Sequence, residues 1–134
     1  MTDTKTPQGM LGKMVRFLTG FNASQSIDNA TAEVVLQFVL PTDCHIIRFD
    51  YSATLDNSYA GTIYLDAGGT TISDADVLTK NVTNTSSAAI VGKLKEYAAG
   101  TIVTVYITGS ASGAVAVTNV SATVAIQPIG SAAG

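Results

Sequence analysis

Apolar and polar residues along this chain alternate with a period of two rather than with the three-to-four spacing of a helix. The clearest run is Ile47 to Leu55. Ile47, Phe49, Tyr51, Ala53 and Leu55 fall on one side, and Arg48, Asp50, Ser52 and Thr54 on the other. Such a run predicts a strand with one packed face and one solvated or contact face. Val34 to Leu40 is β-branched and aromatic and stops at Pro41. It sets Val34, Leu36, Phe38 and Leu40 against Val35, Gln37 and Val39, so both faces are mostly apolar and a strand covered on both sides is expected. Gly61 to Asp66 predicts another strand. Gly68-Gly69 predicts the tight turn behind it, because glycine accepts the positive φ a hairpin turn needs. Thr101 to Thr108 places Val103, Val105 and Ile107 opposite Ile102, Thr104, Tyr106 and Thr108. Asn119 to Ile126 turns Val120, Ala122, Val124 and Ile126 inward, and Pro128 stops it.

The remaining segments read less regularly. Lys13 to Leu18 fits either a first strand or a helical turn. Phe21 to Ala30 reads as a polar loop, Asp74 to Lys80 as an acidic loop or short helical turn, Ser87 to Lys95 as a strand in this β pattern although its alanines and lysines also fit a two-turn helix, and Gly109 to Gly113 as a loop. Residues 1–18 are expected to be an N-terminal arm, since Pro7, Gly9 and their polar neighbours offer little to bury. Residues 19–129 are expected to form the domain and 130–134 a flexible tail. Seven or eight short strands, with turn signals about every 8–12 residues, indicate one all-β domain built as an antiparallel sandwich or barrel.

Composition narrows the function classes. The chain has 134 residues, of which 46% are hydrophobic and only 13% charged. That is enough apolar material for a real core but about half the usual charge. Threonine, serine, alanine and glycine fill the difference, as in β-rich extracellular or particle-surface proteins. Net charge is −3, with seven lysines and arginines that do not cluster into a stripe, so nucleic acid is not an expected partner. One cysteine excludes an intrachain disulfide and a multi-cysteine zinc site. The polar N-terminus lacks the apolar core of a secretory signal, and no run reaches the length of a membrane span, so no membrane partner is expected.

No catalytic set stands out. Cys44 and His45 are adjacent on a strand and would face opposite ways, which prevents an unaided nucleophile pair. Asp66, Asp74 and Asp76 are oxygen ligands of the kind calcium takes, but without an EF-hand pattern, and a solvated acidic turn explains them. Glu33, Glu96 and the aspartates nominate no glycosidase pair. Gly68-Gly69 lacks the lysine and helix of a phosphate loop. The Asn-x-Ser/Thr triplets at Asn22, Asn29, Asn81, Asn84 and Asn119 read as turn asparagines beside hydroxyl-rich strands. Tyr51, Tyr59, Tyr64, Tyr97 and Tyr106 suit either a sugar platform, which the lack of tryptophan weakens, or subunit and strand contacts. No cofactor and no enzymatic activity are expected.

The stretch Ile47 to Ile126 resembles bacteriophage head decoration, or cement, proteins. It carries the long alternating strand, then Ala60-Gly61-Thr-Ile-Tyr-Leu-Asp66 with the Gly68-Gly69-Thr-Thr-Ile72 hairpin, then Ala99-Gly100-Thr-Ile-Val-Thr-Val105, then Val120 to Ile126. The resemblance implies a jelly-roll-like sandwich of about eight strands and a homotrimer on the outside of a capsid, bracing neighbouring major capsid subunits. The arm would be its contact, through Met10, Leu11, Met14, Val15, Phe17 and Leu18. The competing reading is a sugar- or receptor-binding sandwich of the fibre or carbohydrate-binding type.

Overall fold

A computed structural model of the chain describes residues 15–28, 32–56, 61–73, 75–79, 82–90, 95–109 and 114–129. They form nine strands: β1 (Arg16–Asp28), β2 (Ala32–Val39), β3 (Cys44–Asp56), β4 (Gly61–Ala67), β5 (Thr70–Thr71), β6 (Asp76–Leu78), β7 (Thr83–Ala89), β8 (Ile102–Gly109) and β9 (Ala114–Pro128). One sheet has the order β1-β9-β3-β7. The other runs β2-β8-β4-β5, with β6 also paired to β4. Every pairing is antiparallel.

The connectivity follows one rule. β1 pairs with β9, β2 with β8, β3 with β7, and β4 with β6. The chain is therefore a long hairpin closed around β4 and β6, then rolled so that β9 also meets β3 and β8 also meets β4. That is a jelly roll of eight strands. The ninth, β5, only extends the Gly68-Gly69 turn. Those two glycines have φ of 60° and 92°, as the turn requires.

The expected inward faces are largely present. Phe49, Tyr51, Ala53 and Leu55 of β3, Val103, Val105 and Ile107 of β8, and Val120, Ala122, Val124 and Ile126 of β9 are all buried between the sheets. Three positions break the simple alternation, each at a bulge. In β3 the register shifts between Ile46 and Arg48, so Ile46 is buried and Ile47 is not. In β2 Val35 is the extra residue, so it turns inward and Val34 faces out. In β9 Asn119 has a φ of 52°, and Val117 and Val120 both reach the core across it. A bulge inserts one residue and reverses the parity of everything beyond it. The expected inward placement of Ile47 is corrected for that reason, and β2, expected to be covered on both sides, lies at the end of its sheet with Val34 and Val39 exposed.

Other expectations also change. Phe21 to Asp28 is not a loop but the second half of β1, in register with β9 from Arg16↔Ile126 to Asp28↔Ala114. Asn22, Ser24, Gln25 and Ser26 are exposed or half-buried, which is why no apolar period shows. Arg16, Phe17 and Leu18 belong to this strand rather than to an arm. Asp76 to Leu78 is a strand, held by β4 through Gly61↔Leu78 and Ile63↔Asp76. The strand expected over Ser87 to Lys95 lies earlier, at Thr83–Ala89, and the last strand starts at Ala114 rather than Asn119. The chain turns at Tyr97 to Gly100. Tyr97 and Cys44 exchange backbone hydrogen bonds, and Gly100 N–H donates to Leu40 O from a φ of 90°.

Two glycines mark close approaches between strands. A Cβ at Gly61 would sit 2.9 Å from the backbone oxygen of Thr108, while one at Gly20 would meet only the side-chain ends of Leu36 and Phe38, at 3.1 Å. A carbonyl in a ladder cannot step aside as a side chain can. Gly61→Ala should therefore cost about 1–3 kcal/mol in urea unfolding, and Gly20→Ala clearly less. Equal midpoints for the two variants would contradict this packing.

Candidate partner-contact surfaces

The residues singled out from the sequence divide at the start of β1. Met10, Leu11 and Met14 lie outside the described residues. Val15 is exposed, Phe17 is 61% exposed, and Leu18 turns inward against the core. Alternation carries the outward row on to Phe21, also 61% exposed, a residue the sequence reading had placed in a loop. Two exposed phenylalanines four residues apart on one strand face are not a burial requirement of the fold. They form an apolar ridge along the edge of the sheet.

β1 has a neighbour in its sheet on one side only, yet its open side is not bare. Asn22 Nδ2 donates to Val35 O at 3.0 Å and to Gln25 Oε1 at 2.8 Å, and Gln25 Nε2 donates to Val34 O at 2.9 Å. These amides satisfy carbonyls at the β2 bulge and stitch the two sheets together at that edge. The sequence marks Asn22 only as a turn asparagine and Gln25 not at all, because polar residues at a sheet edge look like loop residues.

The rest of this sheet's outer face is hydroxylic. Cross-strand register lines up Thr19, Thr123, Asp50 and Ser87, and beside them Phe21, Ser121, Ser52 and Thr85. Arg48 Nε donates to Asp50 at 3.1 Å, and its guanidinium also reaches Ser87. An open depression between β3 and β9 is lined by Asp50, Ser52, Ser121 and Thr123.

The outer face of the other sheet is different. Its outward rows carry Val39 with Ile102, then Gln37 with Thr104 and Asp66, then Val34 with Tyr106 and Tyr64, then Thr108 with Thr62 and Val77. Tyr64 and Tyr106 stack with ring centroids 5.4 Å apart. Rings that cover one another do not offer the open flat face a sugar platform needs. Asp66 is buried, and its Oδ1 accepts from Gly69 N–H at 2.9 Å, which closes the hairpin turn.

The other candidate groups have structural partners. Cys44 is fully buried, and burial first, then Asp43, pushes its thiol up from the usual range. A thiol held protonated is a poor nucleophile. His45 Nδ1 is 2.8 Å from Lys95 O; a carbonyl only accepts, so Nδ1 carries the proton and ties β3 to the segment before β8. Asn84 accepts from Thr79 N–H and donates to Thr79 O, organising the turn into β7. Asn119 supplies the positive φ of the β9 bulge, so Asn22, Asn84 and Asn119 each have a backbone task; Asn29 and Asn81 lie outside the described residues. Asp74 does too, and Asp76 accepts from Tyr51 Oη at 3.1 Å. Among the described residues no three His, Cys, Asp or Glu side chains gather as a metal site would require.

No family model and no curated protein matches this chain. Solved structures do. A chain of infectious bursal disease virus, Gx strain, superposes with a TM-score of 0.53 at 15% identity, over 90% of this chain and 33% of that one. A chain of the infectious bursal disease virus VP2 subviral particle gives 0.51 at 15%, over 87% and 33%. A chain of the cyanophage Pam1 capsid asymmetric unit gives 0.52 at 20% identity, over 87% of this chain and 86% of that one. The likeness is one of fold. This chain spans about a third of the length of the bursal disease virus chains, but nearly the whole of the cyanophage chain.

The Tyr51–Asp76 bond links β3 of one sheet to β6 of the other. Burial, then the Asp76 charge and hydrogen bond, push the phenol up from 10.0 to about 12. An unfolded chain releases this proton near pH 10 and the folded chain only near 12. The contribution is therefore complete below pH 10 and is lost as pH climbs to 12. The wild-type urea midpoint should fall between about pH 9 and about pH 12, and Tyr51→Phe should remove about 1–2 kcal/mol of that fall. An unchanged alkaline slope in the variant would show that Tyr51 is not held in this way.

Proposed function

We propose that this protein is a structural component of a virion. It sits on the outer surface of a capsid as a homotrimer and braces neighbouring major capsid subunits. The observation that carries the reading is the apolar ridge of β1. Val15, Phe17 and Phe21 stand exposed where the segment bearing Met10, Leu11 and Met14 enters the sheet. Apolar side chains already fixed on a strand bury surface against a partner at little cost in conformational entropy. The jelly roll shared with a chain of the cyanophage capsid unit, over nearly the full length of both, supports the same reading. The buried cysteine, the tethered histidine and the hydroxylic face fit a surface that binds rather than reacts. No cofactor, nucleic acid or membrane enters this role.

One observation favours receptor binding as a second reading. The depression at Asp50, Ser52, Ser121 and Thr123 lies beside exposed Phe21, and hydroxyls, a carboxylate and an open aromatic ring are what a sugar engages.

Removing residues 1–14 leaves β1 and Leu18 in place. That variant should keep the wild-type circular dichroism spectrum and unfolding midpoint but lose co-sedimentation with capsids of the virus that encodes it. Phe17→Ser with Phe21→Ser should weaken the same binding at least about tenfold. Undiminished binding by both variants would overturn the assignment of the contact to residues 1–14 and the β1 ridge, and saturable binding of the wild type to glycans with none to capsids would overturn the structural reading in favour of the second.

A further inference from the structure

The outer face of the β2-β8-β4-β6 sheet is built unlike a solvated one. In a sandwich with both outer faces in water, outward positions are polar, as they are on the opposite sheet away from the Phe17–Phe21 ridge of β1. Here Val39 is 62% exposed, Ile102 48% and Val77 70%, and Val34 stands beside the stacked Tyr64–Tyr106 pair. The Val39–Ile102 and Val34–Tyr106–Tyr64 rows flank the Gln37–Thr104–Asp66 row, and β-branched residues and tyrosine beside hydroxyl and amide groups are a composition that interfaces favour.

Charge says what covers it. Among the described residues the one ionisable carboxylate in these outward rows is Asp66, which is buried and bonded to Gly69 N–H. Glu33 and Asp76 stand opposite inward-facing Ile107 and Ile63 in the register, not in the outward rows. A second copy of this chain brings the same net charge of −3, so like charges must stay away from any contact between copies. A neutral face meets that condition. A charged partner surface would gain nothing from it. By contrast, the opposite sheet carries the Arg48–Asp50 ion pair in its outer face and suits water or a polar ligand.

We infer that this face is where copies of the chain associate, through its Val39–Ile102 and Val34–Tyr106–Tyr64 rows. The inference deepens the proposed homotrimer by assigning its surface. It also leaves the β1 ridge, on the other sheet, free for the capsid. One molecule then has separate apolar contacts for its own kind and for the lattice, which bracing requires.

The test is the mass in solution, by light scattering after gel filtration and by sedimentation velocity across a concentration series. The wild type should be oligomeric. Val39→Thr with Ile102→Thr keeps two β-forming residues on exposed positions, so the fold and urea midpoint should hold while association weakens at least about tenfold. Thr19→Lys with Ser121→Lys, on the opposite outer face, should leave the mass unchanged. A monomeric wild type, or a Thr variant with wild-type association, overturns the inference. If the Thr variant unfolds, Tyr106→Gln is the replacement, read by the same two measurements and judged in the same way. Capsid co-sedimentation is scored separately. An oligomer through this face that binds no capsid refutes the virion role alone, and a monomer that binds capsids refutes the self-contact alone.

Discussion

The fold depends on the two ladders made by β9. This last strand lies between the first, β1, and the third, β3, in register with both along nearly its whole length. Its inward side chains, from Val117 through Val120, Val124 and Ile126, are completely buried. Without β9, β1 has no partner in its sheet and the rolled hairpin cannot close. The contact is also as distant in sequence as this chain allows, so its loop-closure entropy is met only when the C-terminal strand has arrived. The asparagine bulge at 119 belongs to the same constraint, because it sets which face of β9 meets the core on each side of it.

Once the ladders are formed, the sandwich has two outer faces and they are not alike. One is a floor of hydroxyls with an ion pair and an apolar ridge along β1. The other is neutral and apolar around a tyrosine stack. A solvated sandwich has no need of the second, and a purely self-associating one has no need of the ridge. Their separation on opposite sheets is the geometric basis for reading the molecule as a bridge between partners.

Much of this was legible in the residues. The period of two along Ile47–Leu55, Thr101–Thr108 and Asn119–Ile126 reports burial on one face, and burial is a property a strand carries wherever it is placed. Pro41 and the Gly68-Gly69 pair mark turns through backbone restrictions that no tertiary contact overrides. Of the candidate contact residues among those described, Val15 and Phe17 are exposed, whereas Leu18 packs against the core. The companion Phe21 was missed because it sits among polar residues. The cross-sheet role of Asn22 and Gln25 is not legible in the sequence, because both reach carbonyls on another strand and nothing local records which strand that is.

The sequence by itself determined that the chain is all-β, where its strongest strands lie and that most of their inward faces are apolar, since these follow from side-chain chemistry and a fixed alternation. Only the tertiary structure decided the parity at Ile46, Val35 and Asn119, the enlistment of residues 21–28 as an edge strand, and the difference between the two outer faces. Each of those depends on what lies opposite. A bulge is defined by the register of its partner, an edge by the absence of one, and an outer face by rows of residues that come from strands far apart in the chain.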